Sequence, residues 1–146
     1  MIAAAVLAGA IALTPGAVHP ADMQAAHDMR GFEPSLYQGK WYSKKWERNR
    51  KCIMKRESRF NYRAANKRSS ARGAYQFLDR SWRESLVHML RPEIKRDYPH
   101  RRETLESLTG KSIHKWPAFY QDAAWYTVVV KHDGINHWAP VPSACR

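Results

Sequence analysis

Glu57 is the residue around which chemistry in this chain has to be built. It is the only acid between Glu47 and Asp79, and with Ser58 it stands where a helical stretch runs into a polar loop. A carboxyl there has two readings. As a proton donor it must stay protonated near neutral pH, which requires partial burial in apolar surroundings. On that reading Arg56 and Arg59 point to other faces, and Ile53 and Met54, one turn back, lie against the carboxyl. As a surface glutamate it simply neutralises the arginines beside it.

The residues that could assist an acid follow in sequence, and each also has a plainer role. Ser58 could orient Glu57 or cap local backbone. Asn66 could touch a polar ligand or form an Asx-turn. Gln76, inside the apolar block Gly73-Ala74-Tyr75-Gln76-Phe77, offers an amide donor and acceptor to a ligand, or to core backbone. Tyr75 and Trp138 could stack on an apolar ligand face, or pack in the core. Asp79 is the one candidate for a second carboxylate; otherwise it serves the start of the next helix. That choice decides mechanism, because a paired carboxylate activates water whereas a lone one does not. The seven histidines form no HExxH, and His132 and His137 lie five apart. Neither a metal nor another cofactor is expected.

These residues need elements to hold them. A helix is expected from about Ser43, with Trp46, Arg50, Ile53 and Glu57 on one face. Residues 58–72 read as a structured loop, and 73–78 as a short apolar piece, strand or helix start. Ser81-Trp82-Arg83-Glu84 is a capping-box pattern that opens a helix running to about Leu90, before Pro92. A short helix over residues 102–109 stops at Gly110. Pro117 opens another, with Phe119, Ala123, Tyr126 and Val130 down one face to a stop at Asp133-Gly134. The sum is a mainly α domain with at most a small β-hairpin.

The chain has 146 residues, enough for one domain with a real core. Thirteen of its 25 basic residues and two of its 13 acidic ones fall between Lys40 and Arg72, so nearly all of the net charge of +12 belongs there. That predicts an anionic partner: nucleic acid, cell-wall polymer or membrane surface. Residues 2–13 form an uncharged apolar run with the length of a signal-peptide core. It lacks a basic leader and a good cleavage site, and the other reading is a retained arm or weak anchor that could touch a membrane. The expected division is a signal-like or anchor segment over 1–21, a linker over 22–42 that carries Gly31, Pro34 and Gly39, and one domain over 43–146. The two cysteines, Cys52 and Cys145, form no CxxC pair. By themselves they are read equally well as a long-range disulfide or as two thiols.

The segment from Cys52 to Leu78, with Glu57-Ser58-Arg59-Phe60-Asn61 followed by Gly73-Ala74-Tyr75-Gln76-Phe77, resembles the lysozyme-like superfamily of peptidoglycan-cleaving enzymes. The likeness is greatest to its lytic-transglycosylase and resuscitation-promoting-factor branches in actinobacteria and their phages, and it spans roughly residues 46–145. The resemblance implies an α+β lysozyme-like fold and cleavage of the MurNAc–GlcNAc β-1,4 bond by Glu57 as a single general acid/base. Substrate contacts would come from Ser58, Asn66, Tyr75, Gln76 and Trp138. It further implies that Cys52 pairs with Cys145, and that the protein is secreted or held at the envelope, or, if phage-encoded, carried in the virion or released at lysis. The basic loop over 66–72 and the segment 91–115 depart from the family pattern. The expected partners are glycan strands and anionic wall polymers, with no obligate nucleic acid. The basic stretch then serves approach to the wall. Two other classes fit the same residues: a basic nucleic-acid-binding module with interleaved aromatics, and a non-catalytic wall-binding or virion structural protein on the same fold.

Overall fold

A computed structural model describes residues 28–140 and Cys145. The signal-like or anchor segment at 1–21 lies outside them. Among the described residues, no helix is long and apolar enough to cross a membrane. The architecture is mainly helical with one two-stranded antiparallel hairpin. In chain order the elements are α1 (Glu47–Ser58), β1 (Ala71–Arg72), β2 (Phe77–Leu78), α2 (Asp79–Asp97), α3 (Arg102–Ser107) and α4 (Ala118–Tyr126). Short 3-10 turns link them, and a π-turn over Thr127–Lys131 extends α4.

Helix α4 is the axis of the core. Every residue from Phe119 to Val129 is buried, so its apolar positions are not confined to one face as their spacing suggested. A helix buried all round must satisfy its own polar side chains. Gln121 does so completely: Oε1 accepts from Ala74 N at 2.9 Å, and Nε2 donates to Tyr62 O and Trp116 O at 3.1 and 3.0 Å. This amide clamps the turn of the hairpin against the helix. Gly73 sits in that turn with φ +78°, where a Cβ would be both strained and in collision with Gln121 Oε1.

Asp122, fully buried, is the second polar group of α4. It accepts hydrogen bonds from Ser35 Oγ, Leu36 N, Tyr62 OH and Tyr75 OH, at 3.0, 2.9, 2.6 and 2.6 Å. Arg50 of α1, also fully buried, brings its guanidinium to 3.8 Å from Asp122 Oδ1 and donates to Glu47 Oε2 at 2.9 Å. Burial opposes the charge on Arg50, but the anions around it outweigh that and hold its pKa above the ordinary guanidinium value. Arg50, which helical spacing puts on one face with Trp46, Ile53 and Glu57, is not free to serve as a surface charge. It belongs instead to this internal ion cluster, which neutralises Asp122 in the core.

The same cluster predicts a pH limit on stability. Burial first, then the Asp122 carboxylate, push the Tyr62 and Tyr75 phenols well above their usual value, and burial with Glu47 does the same for Tyr126. In the unfolded chain these protons leave near pH 10. Above that pH the folded state binds more protons than the unfolded state, so stability falls as pH rises. Below about pH 9 the contribution is complete. Each phenol adds about 1.4 kcal/mol per pH unit to the loss. Melting temperatures should be flat to about pH 9.5 and then drop steeply, with phenolate absorbance appearing only on unfolding. A melting temperature unchanged to pH 11.5 would refute this.

Two boundaries differ from expectation. The proposed linker is part of the domain from Asp28 onward. Leu36 and Tyr37 are fully buried, Ser35 N donates to Glu47 Oε1 at 3.1 Å, and Lys40 N donates to Glu93 Oε1 at 2.7 Å. Gly31, φ +64°, is not a linker residue; its missing side chain lets the chain pass against Met54 and Tyr62. Helix α2 begins at Asp79 and continues through Pro92 to Asp97. Pro92 is exposed, so the carbonyl it leaves unbonded can face water, while Leu86, Val87, Leu90 and Ile94 carry the buried stripe past it.

Candidate functional site

Helix α1 stops at Ser58, one residue after Glu57, because Arg59 and Phe60 both take left-handed backbone, φ 54° and 66°. Their amides close the helix, Arg59 N on Lys55 O and Phe60 N on Met54 O, each at 3.2 Å. Ser58 joins that cap: its hydroxyl donates to Met54 O at 3.2 Å and accepts from Asn61 N at 3.1 Å. The serine is therefore committed to local backbone. Glu57 is left at the helix end, half-buried, facing the hairpin.

β1 and β2 pair Ala71 with Leu78 and Arg72 with Phe77, and the turn between them presents Gln76. Gln76 sits in left-handed backbone at φ 52°, with its amide nitrogen donating to Gly73 O at 2.9 Å. Its amide oxygen makes no hydrogen bond to the described residues.

The last wall comes from the C-terminal segment. Trp138 ends the 3-10 turn Gly134–Trp138, and its indole donates to Tyr75 O at 2.7 Å. A disulfide joins Cys52 of α1 to Cys145, with Cα atoms 5.5 Å apart, and Asn49 Nδ2 donates to Cys145 O.

These elements enclose a cleft of about 270 Å³ in which Glu57, Gln76 and Trp138 meet Arg56, Phe77, Trp82 and His137. Glu57 is the one carboxylate among the described lining residues. Its side chain is 24% exposed. Arg56 does not point away from it: Arg56 Nη2 lies 2.6 Å from Glu57 Oε1, and the same guanidinium donates to Trp138 O and Pro140 O at 2.5 and 2.7 Å. Arg56 thereby straps the C-terminal segment to the helix end that carries Glu57.

The aromatic surface of the cleft differs from expectation. Tyr75 cannot meet a sugar. It is fully buried, its ring stacks on Trp125 at 5.7 Å, and its hydroxyl is spent on Asp122. Trp138 lines the cleft but is only 6% exposed, with its ring against Phe77 and Trp125. The rings more open to the cleft are Trp82, half-buried, and His137, exposed and edge-on to Trp82 at 4.6 Å. Trp82 was read only as part of a helix cap. Its place in the first turn after the Gln76 block, on the same side as Phe77, was the signal.

Asn66 and Asp79 do not reach the cleft. Asn66 is exposed, and its Oδ1 accepts from Arg68 N at 2.8 Å, an Asx-turn that shapes the basic loop. Asp79 is the first residue of α2; its Oδ1 accepts from Ile113 N at 2.7 Å, which ties the helix start to the chain before α4. A carboxylate so occupied is not a second catalytic acid. Among the described residues no cluster of His, Cys, Asp and Glu could hold a metal. No family model, curated protein or solved structure matches the chain.

Proposed function

We propose that the protein cleaves the β-1,4 bond between MurNAc and GlcNAc in peptidoglycan, with Glu57 as the only acid/base. The observation that carries this reading is the meeting of Glu57, Gln76, Trp82 and His137 in one cleft with a single carboxylate. Glu57 protonates the leaving glycosidic oxygen from Oε2, since Oε1 accepts from Arg56. With no partner acid to activate water, the substrate's acetamido oxygen closes on C1 as the glycosidic bond breaks. The 6-hydroxyl of the same sugar then attacks C1, giving up its proton to Glu57, and an anhydro sugar results. Gln76 holds the N-acetyl group through its free amide oxygen, and Trp82 offers its ring to a sugar face.

The Arg56–Glu57 pair favours one competing reading, a structural tie in a non-catalytic wall-binding protein. Digestion of purified peptidoglycan separates the two. Soluble fragments one water lighter than reducing muropeptides support the anhydro route, and absence of turnover removes the enzymatic reading. Glu57→Gln keeps shape and loses the proton. It should cut turnover at least about a hundredfold, the usual scale for general acid catalysis. Melting should change little, because a half-exposed ion pair contributes at most about 1 kcal/mol. A variant that cleaves normally, or one that melts many degrees lower, would instead mark Glu57 as structural.

A further inference from the structure

A second hollow, of about 450 Å³, shares no lining residue with the Glu57 cleft. Lys67, Arg68, Arg72 and Arg80 line it, with the hydroxyl residues Ser69 and Ser70. Its one acid, Asp79, is nearly buried and turned to Ile113 N. Lys67, Arg68 and Arg80 are exposed and form no ion pair among the described residues.

The loop that carries these cations is fixed by its own bonds. Asn66 Oδ1 and Ser69 Oγ accept from Arg68 N and Ala71 N, Ser70 O accepts from Asp79 N, and Arg72 Nη1 donates to Asn66 O, Ser69 O and Ala71 O at 2.8 Å each. Four like charges are thus held around one concavity, and its single acid, Asp79, forms an ion pair with none of them among the described residues. That arrangement costs folding energy and is organised in advance for an anion. Guanidinium groups match the paired oxygens of a phosphate, and no aromatic ring lines the hollow, so nothing there would stack a nucleobase.

We propose that this hollow binds phosphodiester groups of a base-free polyol-phosphate polymer, whose repeated charges occupy Lys67, Arg68, Arg80 and the free edge of Arg72. The site stands whether or not Glu57 is catalytic. His114 reports on Arg72: burial first, then the cations Lys115 and Arg72, with Arg63 and against the Asp79 carboxylate, hold it below the ordinary imidazole range. An anion seated on Arg72 offsets that field and raises the His114 value.

The test is titration of the whole protein with poly(glycerol phosphate) at about 0.15 M salt, where distant exposed charges are screened, followed by NMR. Saturable shifts are expected at residues 66–72 and 80, with His114 titrating at higher pH in the complex. Arg68→Gln with Arg80→Gln should weaken binding at least about tenfold. Lys44→Gln with Lys45→Gln removes the same charge from exposed positions elsewhere and should weaken it less than about threefold. Equal weakening by the two pairs, or no saturable shift in the loop, overturns the proposal. So does tighter binding of a single-stranded oligonucleotide or of polyglutamate than of the polyol phosphate.

Discussion

Arg50→Leu is expected to lower stability by about 3–5 kcal/mol, the usual cost of leaving a buried charge without its partner. Asp122 keeps four hydrogen-bond donors in this variant but loses the buried cation Arg50, and Glu47 loses the same partner. A domain of this size has about 5–15 kcal/mol in all, so the variant stands close to unfolding at ordinary temperature. The melting temperature should fall by about 10–15 °C. Asp122→Asn should cost less in the Arg50→Leu background than in the wild type, because it then removes a charge that no longer has a counter-ion. A fall of under about 3 °C, or additive effects of the two substitutions, would show that the tyrosine and serine hydroxyls hold Asp122 without help.

Removal of the Cys52–Cys145 bridge is the second large effect. The bonded residues are 93 apart in sequence, and closing a loop of that length stabilises by about 4–5 kcal/mol in the chain-entropy account. Cys52→Ser with Cys145→Ser should therefore lower the urea midpoint by about 2 M, for a denaturant slope of about 2 kcal/mol per molar. The bridge ties the last segment to α1, five residues before Glu57, and Arg56 ties the same segment again through Trp138 O and Pro140 O. On the function proposed above, the doubly substituted chain should also lose peptidoglycan turnover at temperatures where its circular dichroism remains folded, since one wall of the cleft is loosened. Unchanged urea resistance would mean that Arg56 and the packing of Trp138 hold the segment unaided.

The class of the domain, the end of α1 at Glu57-Ser58 and the isolation of Glu57 among bases are legible along the chain. These are local properties: helical spacing, punctuation and the order of charges along the chain. Residues 73–78 stand out along the chain only as a short apolar block, strand or helix start; the pairing of β1 with β2, and the approach of Gln121 that requires glycine at 73, made the block a hairpin turn. The pairing of Cys52 with Cys145 was not legible from two cysteines alone; it came with the family resemblance, and the geometry agrees with it.

Which polar residues the core consumes depends on contacts between distant segments. Tyr75 and Trp138 look equally suited to a sugar, but Asp122 takes the first hydroxyl and the backbone of Tyr75 takes the second indole. Arg50 and Arg56 are both basic residues of one helix, yet one is buried against Asp122 and the other turns onto Glu57. Asp79 was lost to Ile113 for the same reason. A buried polar group must find a partner, and the partners here come from segments far away in sequence. The cleft keeps the Gln76 amide oxygen and the open rings of Trp82 and His137, which this competition left unclaimed among the described residues, and no spacing along the chain records its outcome.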